Sequence, residues 1–112
     1  MSEPSIFTRI LKGEIPSEII AETENAFAIR DIAPKAPTHL LVIPEHHVET
    51  FREIGELDAD ESKRLLEFVA DTAREAGLED YRVVVNVGPG GGQTVFHLHV
   101  HVLGGREMGQ DL

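Results

Sequence analysis

His97, His99 and His101 stand two residues apart in the stretch His97-Leu98-His99-Val100-His101-Val102-Leu103, so imidazoles alternate with aliphatic side chains. In a strand, residues two apart share a face. The spacing therefore predicts a chemical face with three imidazoles and a packing face with Leu98, Val100 and Val102. Half of the chain's 6 histidines fall on that one face. Imidazole, with an unperturbed pKa of about 6.5, can attack, protonate or pair with an anion near neutral pH. A phosphorylated substrate, whose oxygens and leaving group spread over several ångströms, suits successive imidazoles.

A metal is the first rival. At about 3.3 Å rise per residue, His97 and His101 lie roughly 13 Å apart along a straight strand, whereas zinc holds each ligating nitrogen at about 2.1 Å. Two neighbouring histidines can share an ion, but all three cannot without a bulge. Further ligands would have to come from His39, His46, His47 or a carboxylate. The geometry favours a site with no metal, and no cofactor is expected. An exposed polar face, or a core histidine bonded to a carbonyl, accounts for one of the three residues and poorly for all of them.

Just before the histidines runs Gly88-Pro89-Gly90-Gly91-Gly92-Gln93-Thr94. Glycines let the backbone approach a phosphate closely, and successive N–H groups can form a concave anion nest. The loop is not a Walker loop, since no Gly-Lys-Ser/Thr follows, and Gln93 interrupts a Gly-x-Gly-x-x-Gly pattern. A flexible connection is its commoner meaning, so its place before the histidines carries the argument. Asn86 and Thr94 flank it and could bond phosphate or sugar oxygens, or equally fix the loop's own turn. Asp31 could accept both hydroxyls of a ribose or be a solvated strand end. His39, His46 and His47 read from the residues alone as surface positions.

The elements that position these groups follow from patterning. Ser5 to Lys12 has helical spacing, with Gly13 as a stop. Two strands, 19–22 and 26–31, flank a turn at Thr23-Glu24-Asn25. Ala33-Pro34-Lys35-Ala36-Pro37 is a stiff connection. It leads to the strand His39-Leu40-Leu41-Val42-Ile43, apolar enough to be covered on both faces and ended by Pro44. A long helix opens at Asp58, which forms a capping-box pair with Glu61. Its apolar stripe is Leu65, Phe68, Val69, Thr72, Ala73 and Ala76, with Gly77 at its end. A strand at 81–87 and the histidine strand complete the series. With no regular βαβ alternation, the expectation is an α+β fold with a mainly antiparallel sheet, in one domain spanning 1–112.

Composition narrows the function. The 112 residues are 41% hydrophobic and 27% charged, as in a soluble globular protein. The net charge of −10, from 10 basic and 20 acidic residues, disfavours nucleic acid as a partner. No apolar run nears the ~20 residues of a membrane span. Met1-Ser2-Glu3-Pro4 lacks a basic stretch followed by an apolar one, so export and anchoring are not expected. The absence of cysteine rules out disulfides and thiolate metal sites and fits the cytoplasm.

The His-x-His-x-His stretch with its apolar partners resembles the motif of the histidine triad superfamily. The segments Asp31-Ile32-Ala33-Pro34-Lys35-Ala36-Pro37-Thr38-His39-Leu40-Leu41-Val42-Ile43-Pro44, Gly91-Gly92-Gln93-Thr94-Val95-Phe96 and Leu103-Gly104-Gly105-Arg106 are similar to its histidine triad nucleotide-binding (Hint) branch. The resemblance implies a homodimer of α+β protomers that join their five-stranded sheets. It also implies a metal-independent purine nucleoside phosphoramidase cleaving the P–N bond of adenosine 5′-phosphoramidates to AMP and an amine. In that reading His99 is the nucleophile that forms a nucleotidyl-histidine, His101 contacts the phosphate and assists the leaving group, and His39 and His97 form a supporting relay. Asn86, Gly92, Gln93 and Thr94 would hold the phosphate side, with Thr94 where the family often has Ser. Asp31 would take the ribose hydroxyls, and Phe7, Ile32 and Leu41 would line the base pocket, for AMP, GMP or their phosphoramidates. The alternatives are a dinucleoside polyphosphate hydrolase or nucleotidyl transferase using the same covalent step, and a nucleotide-binding or interaction module with vestigial catalysis. One departure is the tail Met108-Gly109-Gln110-Asp111-Leu112, which has no Trp, whereas better-studied relatives carry a C-terminal tail with a Trp that reaches across the dimer and shapes substrate choice.

Overall fold

The computed structural model of the protein describes residues 4–110; residues 1–3 at the N-terminus and 111–112 of the tail lie outside it. Helix α1, Ile6–Leu11, begins where the Ser5 hydroxyl accepts the Thr8 N–H, and Gly13 follows at φ +80°. Strands β1, Ile19–Glu22, and β2, Ala26–Arg30, form the expected hairpin. Its turn is held by the Thr23 hydroxyl, which accepts the N–H groups of Asn25 and Ala26. Strand β3, Thr38–Pro44, lies next to β2. A 3-10 helix, Phe51–Glu56, then occupies part of the stretch between Pro44 and Asp58, where patterning assigns no element.

Helix α2, Ala59–Glu75, has the capping box in both directions: Asp58 accepts the Glu61 N–H and Glu61 accepts the Asp58 N–H. Leu65, Phe68, Val69, Thr72 and Ala73 are buried as its stripe predicts, but Ala76 is exposed because it forms the C-cap beyond the last helical turn. Strand β4 is Tyr81–Val84 and β5 is Val100–Gly104. The sheet order is β1-β2-β3-β5-β4 with every neighbouring pair antiparallel, as expected for the α+β reading.

The sheet has two covered faces. Ala26, Ala28, Leu40, Val42, Val100 and Val102 pack against α2, while Phe27, Ile29, Leu41 and Ile43 pack with Phe7 and Ile10 of α1. Strand β3 is therefore apolar nearly throughout because both of its faces are core. Each large side chain so buried contributes about 1.5–3 kcal/mol.

Three strands are shorter than patterning suggests. β4 ends at Val84 rather than residue 87, and β2 ends at Arg30, leaving Asp31 just beyond it. More importantly, the histidine strand begins only at Val100, so His97, Leu98 and His99 precede it and the three imidazoles do not share one strand face. The β3–β5 ladder runs no further than Val42↔Val100. Pro44 has no N–H to extend it, and the Leu98 N–H instead bonds to the Val48 carbonyl at 2.6 Å. The inward direction of Leu98, Val100 and Val102 survives, since all three join the core beneath α2.

Candidate active site

His39, His99 and His101 line one open cleft of about 370 Å³ together with Asp31, Ala33, Lys35, Val84, Asn86, Gly92, Thr94 and Leu103. That volume lies within the usual range of small-molecule sites, about 300–1,000 Å³. A larger concavity, about 780 Å³, lies between Gly77–Arg82 and Gly105–Gln110 and contains no histidine. The chemistry selects the smaller one.

Hydrogen bonds assign the tautomer of each ring. His39 Nδ1 accepts the Lys35 backbone N–H at 3.0 Å, so its proton is on Nε2. That Nε2–H donates to His101 Nδ1 at 2.9 Å, with Asp31 Oδ2 at 3.4 Å beside it. His101 must then carry its own proton on Nε2. Asp31 is aimed by a local turn in which its Oδ1 accepts the Ala33 N–H at 2.8 Å. His99 donates Nδ1–H to the His97 carbonyl at 2.7 Å, which leaves the Nε2 lone pair free for attack.

His97 is not in the cleft. It is fully buried, donates Nε2–H to the Pro44 carbonyl at 2.7 Å, and accepts the Ser5 hydroxyl proton on Nδ1 at 2.6 Å. His47, read from sequence as a surface residue, is half-buried: it stacks on His97 with ring centroids 4.5 Å apart and donates to the Phe96 carbonyl. His46 is exposed and pairs with Glu61, as expected of a surface position. His39, by contrast, is buried and not a surface residue.

Burial holds all four clustered imidazoles below the ordinary histidine pKa. For His97 it brings the pKa to about 4, opposed by the Pro44 carbonyl and assisted by His47 and His99. His101 is also lowered to about 4, by burial first and then by His99 and His39, against Asp31. His99 is lowered by burial, with the His97 carbonyl and Asp31 acting the other way. In His39 burial outweighs Asp31, and the Lys35 ammonium adds to the lowering. The cleft is thus set with neutral rings, the state in which His99 Nε2 is nucleophilic.

The Gly-rich loop is not the open nest that its composition suggests. Pro89–Gly91 form a 3-10 turn in which the N–H groups of Gly91 and Gln93 bond to the Gly88 carbonyl, and that of Gly92 to Pro89. Asn86 Nδ2 donates to the Gly91 carbonyl, so it fixes the loop while its side chain still borders the cleft. Gln93 does not face the cleft. It is buried, accepts the Gly88 N–H, and donates to the carbonyls of Glu49 and Val95, which fixes the loop internally. Gly92, at φ +90°, and the exposed Thr94 do line the cleft.

The residues expected to line a base pocket separate. Phe7 and Leu41 belong to the core cluster rather than the cleft wall, because α1 folds over that face of the sheet. Phe7 sits edge-on to His97 and His99, at 5.9 and 5.0 Å. Ile32 is 94% exposed at the lip next to Asp31. Sequence reasoning missed Ser5 and His47 as partners of His97, and Lys35 as a lining residue. Only the contact of segments far apart in the chain shows the first two.

Asp31, His39 and His101 bring one donor atom each within 4.8 Å of one another, which the strand-spacing argument did not anticipate. The hydrogen bonds do not suit a metal there. His39 Nδ1 already accepts an N–H, so coordination through Nε2 would leave the ring without a proton on either nitrogen.

The HIT domain family model matches residues 12–108. Over 111 residues, covering 97% of this chain and 93% of the relative, the chain is 38% identical to the purine nucleoside phosphoramidase of Escherichia coli strain K12. It is 46% identical over 108 residues to the 14 kDa zinc-binding protein of Zea mays, covering 94% of this chain and 84% of that one. Its fold matches that of an HIT family hydrolase from Clostridium thermocellum with a TM-score of 0.92 and 40% identity, covering 100% and 99% of the two chains. The chain belongs to the HIT family. Its kinship is with HIT hydrolases.

Proposed function

We propose that the protein is a purine nucleoside phosphoramidase that works through His99. The observation that carries this reading is the His99 hydrogen bond to the His97 carbonyl, which holds Nδ1 protonated and Nε2 free at the cleft. Nε2 attacks the phosphorus of an adenosine 5′-phosphoramidate, the P–N bond breaks, and the amine leaves with a proton. Water then attacks the nucleotidyl-His99, releasing AMP and restoring the neutral ring. His101 presents Nε2–H to the phosphate and leaving group. The amine leaves with a proton from solvent in the open cleft and the attacking water of the second step returns one, so His101 keeps its Nε2–H, with Nδ1 accepting from His39, throughout. His39, held by Lys35 and flanked by Asp31, fixes the His101 tautomer. Asp31 takes the ribose hydroxyls, Asn86, Gly92 and Thr94 border the phosphate, and Ile32 offers an exposed apolar surface to the base. Phe7 and Leu41 support the rings from the core, and Gln93 supports the loop. The reaction needs no metal or cofactor.

The 38% identity to a purine nucleoside phosphoramidase supports the choice of P–N substrate. The rival substrate is a dinucleoside polyphosphate, and the two are separated by comparing turnover of adenosine phosphoramidate and diadenosine polyphosphate after thorough chelation. Preferential cleavage of the phosphoramidate at an unchanged rate is expected. Turnover of the polyphosphate alone, or activity lost with the metal, contradicts the reading. A module with vestigial catalysis would turn over neither.

The active form is a homodimer of single-domain protomers in the cytoplasm. Among the described residues no helix is long and apolar enough to cross a membrane. Strand β4 is a sheet edge, and beside it an apolar groove of about 440 Å³ includes Phe51, Ile54, Leu66, Tyr81, Val83 and Val85. Val83 is 48% exposed and Leu66 67%. Pairing β4 with its copy would cover this edge and this groove together. Light scattering should give a dimer for the wild type and a monomer for Val83→Asp; a wild-type monomer contradicts the assembly.

A further inference from the structure

The nucleophile and the carbonyl that orients it lie outside the sheet, in residues 97–99, so no strand ladder fixes them. Three ties do: Leu98 N–H to the Val48 carbonyl at 2.6 Å, His97 Nε2–H to the Pro44 carbonyl at 2.7 Å, and the Ser5 hydroxyl to His97 Nδ1 at 2.6 Å. The third comes from 92 residues away. The Ser5 oxygen also accepts the Thr8 N–H at 3.1 Å and lies 3.2 Å from the Thr8 hydroxyl. One hydroxyl thus starts α1 and closes the ring of His97. Phe7, two residues on, sits edge-on to both His97 and His99, so the same short helix fixes both imidazoles.

We propose that Ser5 is a positioning residue for the reaction, acting on His99 through His97. The inference rests on the phosphoramidase reading for its kinetic consequence, but the link itself does not. With His97 clamped on both ring nitrogens, its backbone carbonyl has one place to be, and that place holds the His99 ring with Nε2 toward the cleft. Without the Ser5 hydroxyl a buried ring nitrogen loses the one donor it has among the described residues. The His97 ring then shifts toward other partners, and its carbonyl moves with it. Misplacing a reacting group by about 1 Å can cost up to roughly 100-fold in rate.

The test uses the full chain with adenosine 5′-phosphoramidate as substrate and AMP as binding probe. Ser5→Ala should lower kcat about tenfold while KM and AMP affinity stay within about twofold, since the cleft walls are untouched. Ser5→Thr, which keeps the hydroxyl and the helix cap, should recover most of kcat. A Ser5→Ala protein with kcat within twofold of wild type overturns the proposal. So does one whose kcat and AMP affinity fall together, or whose loss Ser5→Thr does not reverse. If the wild type cleaves no phosphoramidate, the activity reading fails while the positional link is still tested by imidazole 15N resonances. Ser5→Ala should move the His97 and His99 signals and leave those of His39 and His101 in place; an unmoved His99 signal overturns the link.

Discussion

His99→Ala should lower turnover of adenosine 5′-phosphoramidate by about 10³-fold or more while AMP affinity changes only a few-fold. A loss of that size corresponds to about 4 kcal/mol of transition-state stabilisation, within reach for a residue that forms the covalent intermediate. The other imidazoles cannot replace it. His97 is sealed beneath α1 with both nitrogens bonded, and His39 has its nitrogens committed to Lys35 and His101. His101 reaches the cleft, but its Nδ1 accepts from His39, which places its proton on the remaining nitrogen. Because His99 packs against Phe7, the alanine variant also loses contacts. His99→Asn keeps a side-chain donor for the His97 carbonyl and separates lost chemistry from lost packing. An equal fall in both variants, with AMP binding retained in titration calorimetry, is the expected outcome. Activity within tenfold of wild type in His99→Asn contradicts the role.

The second large effect concerns acid. His97 is lowered from 6.5 to about 4 in the folded protein, chiefly by burial, and His101 likewise. Below pH 6.5 the unfolded chain binds protons that the folded chain refuses, so ν_U exceeds ν_N and stability rises with pH across this window. The contribution is complete above the unfolded pKa and is lost as pH falls toward 4. For His97 alone the loss is on the order of 3 kcal/mol. In a domain of this size that lowers the melting temperature by roughly 10 °C. Urea titrations at pH 7, 5.5 and 4 should show a steady fall in unfolding free energy. A flat profile between pH 7 and 4 contradicts the buried neutral state of these rings.

The same neutrality shapes catalysis. A protonated His99 has no lone pair on Nε2, so burial, which lowers its pKa, favours the form that the proposed attack requires.

Much of the fold is legible in the chain because its signals are local. Asp58 and Glu61 announce α2 through a reciprocal cap confined to four residues, and Thr23 closes its hairpin within three. The unbroken apolar run of β3 reports that both of its faces are covered. The alternation of Leu98, Val100 and Val102 likewise predicts the packing side, even though only the last two lie in the strand.

What escaped sequence reasoning depends on partners distant in the chain. His97 looks like a third member of the reactive face until Ser5 and Pro44 are seen to hold its two nitrogens. Gln93 looks like a loop residue available to a ligand, yet Glu49, 44 residues away, takes one of its donors. The glycines suggest an open anion nest, but the turn they permit ties up the N–H groups of Gly91 and Gly92 within the loop itself. His97 and Gln93 are legible as polar residues available for bonding. The partner was not encoded nearby.

The role of His99 is tested most directly by trapping its intermediate. Enzyme mixed with adenosine phosphoramidate and quenched within milliseconds in alkaline denaturant, where a phosphorus–imidazole bond survives, should yield a peptide heavier by one adenylyl group. Fragmentation should place that group on His99. An adenylyl group on His101 or any other residue, or complete turnover with no adduct at any time, would contradict the account.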